Sequence, residues 1–315
     1  MTRVAVRAGM GESAIEAALG PELARLVRAR EARLTALREI TTLRSPDRPR
    51  AAFLLEFSDG SMLKGRRLES APRSAALGRL GAAIGPGFAR IVAERGDAQL
   101  LDWVDGPALD SLASIPPEVL RRCGRLLGTL HRVDAAALEA RDPAGAPLPR
   151  SADALQKLEQ DAQALREARA LDPALLGRAL GAALASRPSQ PALGIIHKDF
   201  CAANLVLDAS GAPVCIDNDG FSLGPFDLDL ARTWYRWPMD RASRSHFADG
   251  YQESRSLAGL LAHFDFWAIC VLFGSAAWRL RMRVDGVSEP IARLVKLRAY
   301  LDGKSAGAEH PFWVI

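Results

Sequence analysis

The hydrophobic pattern of this chain changes period at Asp105-Gly106-Pro107, and no other feature restricts its possible folds as much. Before that point the apolar residues come in short runs, Leu34 to Leu43, Ala51 to Phe57, Ser61 to Leu68, Phe88 to Val92 and Gln99 to Val104. Runs of this length bounded by turn residues read as strands, and Ser58-Asp59-Gly60 supplies a hairpin turn with a glycine free to take positive φ. A helical Ala/Leu pattern over 71–84 interrupts them and stops at Gly85-Pro86-Gly87. Beyond the break, helical spacing dominates 117–133, 151–168, 173–186, 227–237, 241–253, 257–283 and 288–301. Residues 13–33 show the same spacing ahead of the first strand. Strands gathered in one part and helices in another predict an α+β fold. Its expected parts are a helical extension (1–33), a small antiparallel sheet with one helix (34–104) and a mainly helical remainder (105–315).

The rest of the composition narrows the function classes. With 315 residues, 49% hydrophobic and 25% charged, the chain has ordinary globular usage and enough length for a large core. Its longest apolar stretch, Phe266 to Gly274, is far shorter than the roughly 18 residues a membrane span needs. The start of the chain runs into Glu12 and Glu16 without a secretory apolar core, so a cytoplasmic location and no membrane partner are expected. Cys123, Cys201, Cys215 and Cys270 are widely spaced, as buried free thiols would be. The net charge of +4 is unevenly spread: residues 1–100 hold 17 basic and 11 acidic side chains, the remainder 24 and 26. That excess suits a small phosphate-bearing ligand. It forms no basic stripe interleaved with aromatics, so no nucleic-acid partner is expected.

Between Pro191 and Leu230 the residue types become specific. Gly194-Ile-Ile-His197-Lys-Asp199 leads to Asn204-Leu-Val-Leu207, a turn at Asp208-Ala-Ser-Gly211, and then Pro213-Val-Cys-Ile-Asp217-Asn-Asp219-Gly220. The apolar runs flank the turn, which puts Asn204 at the entrance of one strand, Asp217 at the exit of its partner, and both near Asp199. Two carboxylates and an amide oxygen at strand ends suit Mg²⁺, which takes oxygen ligands and usually retains phosphates and waters. A base and two such ligands are equipment for phosphoryl transfer, where the protein mainly orients a nucleophile and neutralises charge.

This pattern resembles the catalytic segment of the aminoglycoside phosphotransferase and choline kinase family, which has a two-lobed protein-kinase-like fold. The family's His-x-Asp-x-x-x-x-Asn loop is matched by His197-Lys198-Asp199 with Asn204, its following Asp by Ile216-Asp217, and its downstream Asp-Leu-Ala helix by Asp229-Leu-Ala-Arg232. Met62-Leu-Lys64 lies where the family has its phosphate-binding Lys, Leu100 to Gly106 resembles the hinge, and Leu126 to His131 resembles the helix before the catalytic loop. The resemblance spans roughly 34–300 of the chain. It implies Asp199 as catalytic base, Asn204 and Asp217 as Mg²⁺ ligands, Lys64 on the ATP phosphates, and Asp102, Trp103 and Val104 beside the nucleotide. Asp219 is open between a second metal group and a turn acceptor before Gly220.

The chain departs from the family at two places. The loop Arg44-Ser-Pro-Asp-Arg-Pro-Arg50 has no glycine, so Arg44 and Ser45 are the candidates for phosphate contact there. Residues 71–84 contain no acidic side chain to pair with Lys64; the nearest acids are Glu69 and Glu94. His197 reads as a support for the loop, His131 as packing, and Asp229 as a helix brace. Trp234, Tyr235, Trp237 and the run Phe264 to Trp267 read as core. The expected activity is ATP- and Mg²⁺-dependent transfer of a phosphoryl group to a small-molecule hydroxyl such as that of an amino-sugar or amino-alcohol. The alternatives are a pseudokinase-type scaffold and a kinase for Ser/Thr of a peptide.

Overall fold

The computed structural model describes residues 5–6, 12–41, 51–140, 147–283, 286 and 288–301. The first elements are β1 (Ala5–Val6), α1 (Glu12–Leu19), α2 (Pro21–Arg28), β2 (Leu34–Glu39), β3 (Ala51–Phe57), β4 (Met62–Arg67), α3 (Ala71–Ile84), β5 (Ile91–Arg95) and β6 (Ala98–Asp102). There follow α4 (Pro117–Leu130), α5 (Ala135–Ala140), α6 (Ala154–Glu167), α7 (Pro173–Ala185), β7 (Leu193–Ile196), β8 (Leu205–Leu207), β9 (Pro213–Cys215) and β10 (Ser222–Pro225). The chain closes with α8 (Phe226–Arg236), α9 (Arg241–Gln252), α10 (Ala258–Ala262), α11 (Phe264–Met282) and α12 (Ser288–Leu301). It divides into two compact units. One takes the chain up to Pro107 with Asp134–Pro149 and Val206–Asp219; the other takes Ala108–Val133, Arg150–Leu205 and the chain from Gly220 onward.

The first unit is built on a six-stranded antiparallel sheet in the order β1-β2-β3-β4-β6-β5. Strand β4 is interior, with Lys64 facing Leu54 on one side and Leu101 on the other. Phe53, Leu55, Phe57, Leu63 and Leu100 form one core with Leu19, Leu23, Leu26 and Val27 from α1 and α2. Full burial of each such leucine contributes about 1.5–3 kcal/mol. A Cβ on Gly65 would lie 2.9 Å from Leu55 and 3.2 Å from Leu23, so this small residue lets α2 sit close on the strand. The single helix expected over 13–33 is two helices. Gly20 adopts φ 77° and Pro21 opens α2, where its missing N–H costs nothing and its ring prevents continuation from α1. Helix α3 has the expected bounds; Ser70 Oγ caps it by accepting from Arg73 N–H, and Gly85 ends it at φ 72°.

The second unit is mainly helical. Helices α4 and α9 meet at their backbones: a Cβ on Gly124 would come 1.9 Å from Phe247 O, and one on Gly250 would come 1.9 Å from Arg121 O. Helix α11 is the centre of this unit, burying Phe266, Trp267, Ile269, Val271 and Phe273. The aromatic residues Trp234, Tyr235, Trp237 and Phe264 are buried as well, which is their expected core role. The helix expected over 257–283 is divided at His263, whose backbone leaves the helical region at φ −124° and whose Nδ1–H donates to Ser186 O at 2.8 Å. Among the described residues, no helix is long and apolar enough to cross a membrane.

Candidate active site

Two largely buried strands aim the candidate catalytic segment in the second unit. Strand β7 pairs antiparallel with β10, Ile196 opposite Ser222 and Gly194 opposite Gly224. The strand ends at His197, and the chain turns through Lys198 at φ 69°, a left-handed conformation unfavourable for a residue with a Cβ. Both sides of that turn are held. The carboxylate of Asp229 on α8 accepts the backbone N–H of His197 and of Lys198, each at 2.7 Å, and Arg232 Nε–H donates to Lys198 O at 2.7 Å. The Asp199 N–H donates to His197 Nδ1 at 3.2 Å, which is the supporting role expected of His197.

Behind Asp229 lies a second layer. His131, at the end of α4, places Nε2 at 3.1 Å from Asp229 Oδ2 and Nδ1 at 2.8 Å from the Tyr251 hydroxyl of α9. Burial pushes the His131 pKa down, favouring the neutral ring. Nε2 therefore carries the proton that it donates to Asp229, and Nδ1 accepts from Tyr251 O–H. Burial likewise pushes Tyr251 up and keeps its hydroxyl protonated. Asp229 is fully buried, which opposes ionisation; the hydrogen bond from His131, with further help from the His197 N–H, nevertheless holds its carboxyl below the usual carboxylate range. His131 is thus a hydrogen-bonding relay and not the packing residue expected. Its partners lie 98 and 120 positions away in the chain, so no local pattern signals them.

Asp199 and Asn204 are joined directly. A short turn over Ala202–Asn204 brings the Asn204 side chain back, and Nδ2 donates to Asp199 O at 2.8 Å and to Asp199 Oδ2 at 3.1 Å. With its nitrogen committed, the amide leaves its oxygen as the atom available to a hard cation. The other carboxylate oxygen, Asp199 Oδ1, is buried and takes no hydrogen bond. Its ionic partner is Arg236 Nη2, 3.4 Å away on α8. A carboxyl oxygen with unfilled acceptor capacity is what a general base for a hydroxyl requires.

The first unit holds the remaining candidates. Lys64 Nζ lies 3.4 Å from Asp217 Oδ1 and donates to Ile216 O at 3.3 Å. Asp217 follows the β8–β9 hairpin, whose turn is closed by Asp208 Oδ1 accepting from the backbone of Ser210 and Ala212 and from Ser210 Oγ. Strand β9 is pinned by Cys215 N–H donating to Gly87 O and Ala89 N–H donating to Cys215 O, both at 2.8 Å. Helix α3 contributes a cation: Arg73 Nη2 donates to Asp219 O. Asp219 therefore has its carbonyl engaged by α3. Asp102, at the end of β6, spends its carboxylate on Arg90, with Oδ2 2.8 Å from Nε and Oδ1 3.3 Å from Nη2. Trp103 and Val104 follow it half-buried in irregular chain. Arg44 and Ser45 lie outside the described residues.

The donors are of types that Mg²⁺ and phosphate take. In the second unit Asn204 offers an amide oxygen; in the first, Asp217 offers a carboxylate and Lys64 an amine for phosphate. Arg73, Arg236 and the Tyr251–His131–Asp229 relay were not among the expected site residues. Only Arg236 had a readable signal, since Asp229, Arg232 and Arg236 recur at three- and four-residue spacing along one face of α8.

A family model described as a phosphotransferase enzyme family matches residues 62–268. No curated protein matches the sequence. Among solved structures, a macrolide 2'-phosphotransferase from Brachybacterium faecium is similar at 19% identity and TM-score 0.61, over 89% of this chain and 97% of that one. A choline kinase from Cryptosporidium parvum Iowa II is similar at 12% identity and TM-score 0.58, over 85% and 90%. A spectinomycin phosphotransferase, solved in complex with ADP and spectinomycin, is similar at 11% identity and TM-score 0.58, over 87% and 93%. Likeness at these identities establishes the α+β, protein-kinase-like fold.

Proposed function

Because this chain belongs to the phosphotransferase enzyme family, we propose that it moves the γ-phosphoryl group of ATP to a hydroxyl of a small molecule, with Asp199 as the catalytic base. The observation that carries this reading is the Asp199 carboxylate itself: Oδ2 is held by Asn204 Nδ2, while Oδ1 is buried without a hydrogen bond and next to a cation. In the proposed step the acceptor hydroxyl gives its proton to Asp199 Oδ1 as its oxygen bonds to the γ-phosphorus. The bond from that phosphorus to the bridging oxygen breaks, and ADP leaves with the electron pair. Lys64 binds the phosphates, and Trp103 and Val104 meet the nucleotide by their backbone, with Asp102 holding Arg90 beside them. Asn204 and Asp217 would hold Mg²⁺, with Asp219 as the further candidate. When bound, the ion supplies positive charge to phosphate oxygens. Asp229, Arg232 and Asn204 keep the base in place through the reaction.

The two similar kinases of antibiotics and the choline kinase act on small molecules by their names, which supports a small-molecule acceptor here. A cytoplasmic location agrees with Cys123, Cys201, Cys215 and Cys270, which form no disulfide among the described residues. The test is an ATP-consumption assay over a panel of hydroxyl acceptors, with product mass measured, on wild type and Asp199→Asn. Turnover should fall by about a thousandfold or more while ATP affinity stays near wild type. Equal turnover in Asp199→Asn would remove Asp199 as the base.

A further inference from the structure

Helix α8 meets the catalytic loop with one face, and three of its side chains act on successive parts of that loop. Asp229 takes the two backbone N–H groups at His197 and Lys198, and Arg232 takes the Lys198 carbonyl. Arg236, one turn further on, differs from them. It binds no backbone, lies 3.4 Å from Asp199 Oδ1 and 3.8 Å from Cys201 Sγ, both through Nη2, and keeps 42% of its side-chain surface exposed. Among the described residues, Nε and Nη1 have no partner. The loop is already fixed without it, since Asn204 holds Asp199 Oδ2 and Arg232 holds Lys198.

We propose that Arg236 recognises an anionic group, a carboxylate or a phosphate, on the acceptor and so sets the substrate class as hydroxy acids or phosphorylated alcohols. This rests on the reading of Asp199 as the base. A guanidinium carries planar N–H donors that match such groups, and the unfilled Nε and Nη1 of Arg236 stand beside the carboxylate that takes the hydroxyl proton. An acceptor with a cationic amine at this place would meet the like charge of Arg236.

The test compares wild type, Arg236→Met, Arg236→Lys and Asp199→Asn on D-glycerate and glucose 6-phosphate, on neutral glycerol and glucose, and on cationic ethanolamine and kanamycin. Calorimetric titration of the same compounds into ATP-free protein gives binding apart from turnover. Wild type should bind the anionic probes and prefer them over the neutral ones in kcat/KM by about tenfold or more. Arg236→Met should raise the KM of an anionic acceptor by about tenfold, leave the KM of ATP near wild type, and fall short of Arg236→Lys. A melting temperature for Arg236→Met close to wild type shows that it folds. The proposal is overturned if wild type binds neither anion, if neutral or cationic acceptors are preferred, or if Arg236→Met shifts the KM of ATP and spares that of the acceptor. Loss of turnover in Asp199→Asn alongside any of these leaves the kinase reading standing, whereas persistence of turnover in Asp199→Asn overturns that reading instead.

Discussion

Lys64 Nζ stands 3.4 Å from Asp217 Oδ1, so the cation proposed for ATP is paired with the acid proposed for the metal, and helix α3 offers no acid in its place. Binding of phosphate must therefore draw Lys64 from a pair that is 14% exposed on the lysine side and 42% on the aspartate side. Replacing Lys64 by Ala should raise the KM of ATP by about tenfold or more and change the acceptor KM little. Initial-rate kinetics in both substrates checks this; an unchanged KM for ATP would detach Lys64 from the nucleotide.

Removing the relay behind the loop should cost stability and turnover together. His131→Ala leaves the buried Asp229 carboxylate short of one donor and the Tyr251 hydroxyl short of its acceptor, for about 1–3 kcal/mol. Urea unfolding measures the first effect, and kcat the second. Tyr251→Phe removes only the outer member and should cost less, about 1 kcal/mol.

Acid should destabilise the protein before its carboxylates as a class are protonated. Burial lowers the His131 pKa from its ordinary 6.5, so below about pH 6.5 the unfolded chain binds a proton that the folded chain refuses. Stability then falls as pH falls, by at most about 1.4 kcal/mol per pH unit from this one group. Asp229, held below its ordinary 3.8, adds a loss in the same direction at still lower pH. Urea midpoints between pH 7.5 and 5.5 should decline in wild type and decline less in His131→Gln. Parallel curves for the two proteins would assign the acid sensitivity elsewhere.

Close helix contact supplies a fourth prediction. A methyl group at Gly250 would meet Arg121 O at 1.9 Å, which the backbone cannot absorb without moving α9 from α4. Gly250→Ala should cost about 1–3 kcal/mol or more. It should also lower kcat, because His131 ends α4 and Tyr251 sits on α9. Gly177→Ala is the control: nothing lies within 4 Å of its Cβ, and α7 should be unaffected or slightly stabilised.

The sheet-and-helix arrangement was readable because strand and helix periods separate at Asp105-Gly106-Pro107, and Asp199, Asn204 and Asp217 stand out as candidates because polar residues of matching chemistry interrupt apolar runs. The breaks at Gly20-Pro21 and His263 were harder. The first carries a local signal, a glycine before a proline, inside a pattern that otherwise continues; the second depends on a hydrogen bond to Ser186, 77 positions away. Partners of Lys64 and His131 are also set by tertiary contact, 153 positions away for Asp217 and 98 for Asp229. A residue type with an unremarkable neighbourhood in sequence says nothing of such partners.

The unit that contains the antiparallel sheet draws on three separate stretches of chain, and the last of them, Val206–Asp219, brings strand β9 against residues 87–89. During synthesis from the N-terminus, the ribosome must extend the chain by more than a hundred residues after β6 before that stretch emerges. Until then the carbonyl of Gly87 and the ammonium of Lys64 wait in the nascent chain without the groups they end up beside. Vectorial folding of this protein therefore has a late closing step, and a ribosome-stalled fragment ending before Val206 should be cut by protease more readily than one ending beyond Asp219.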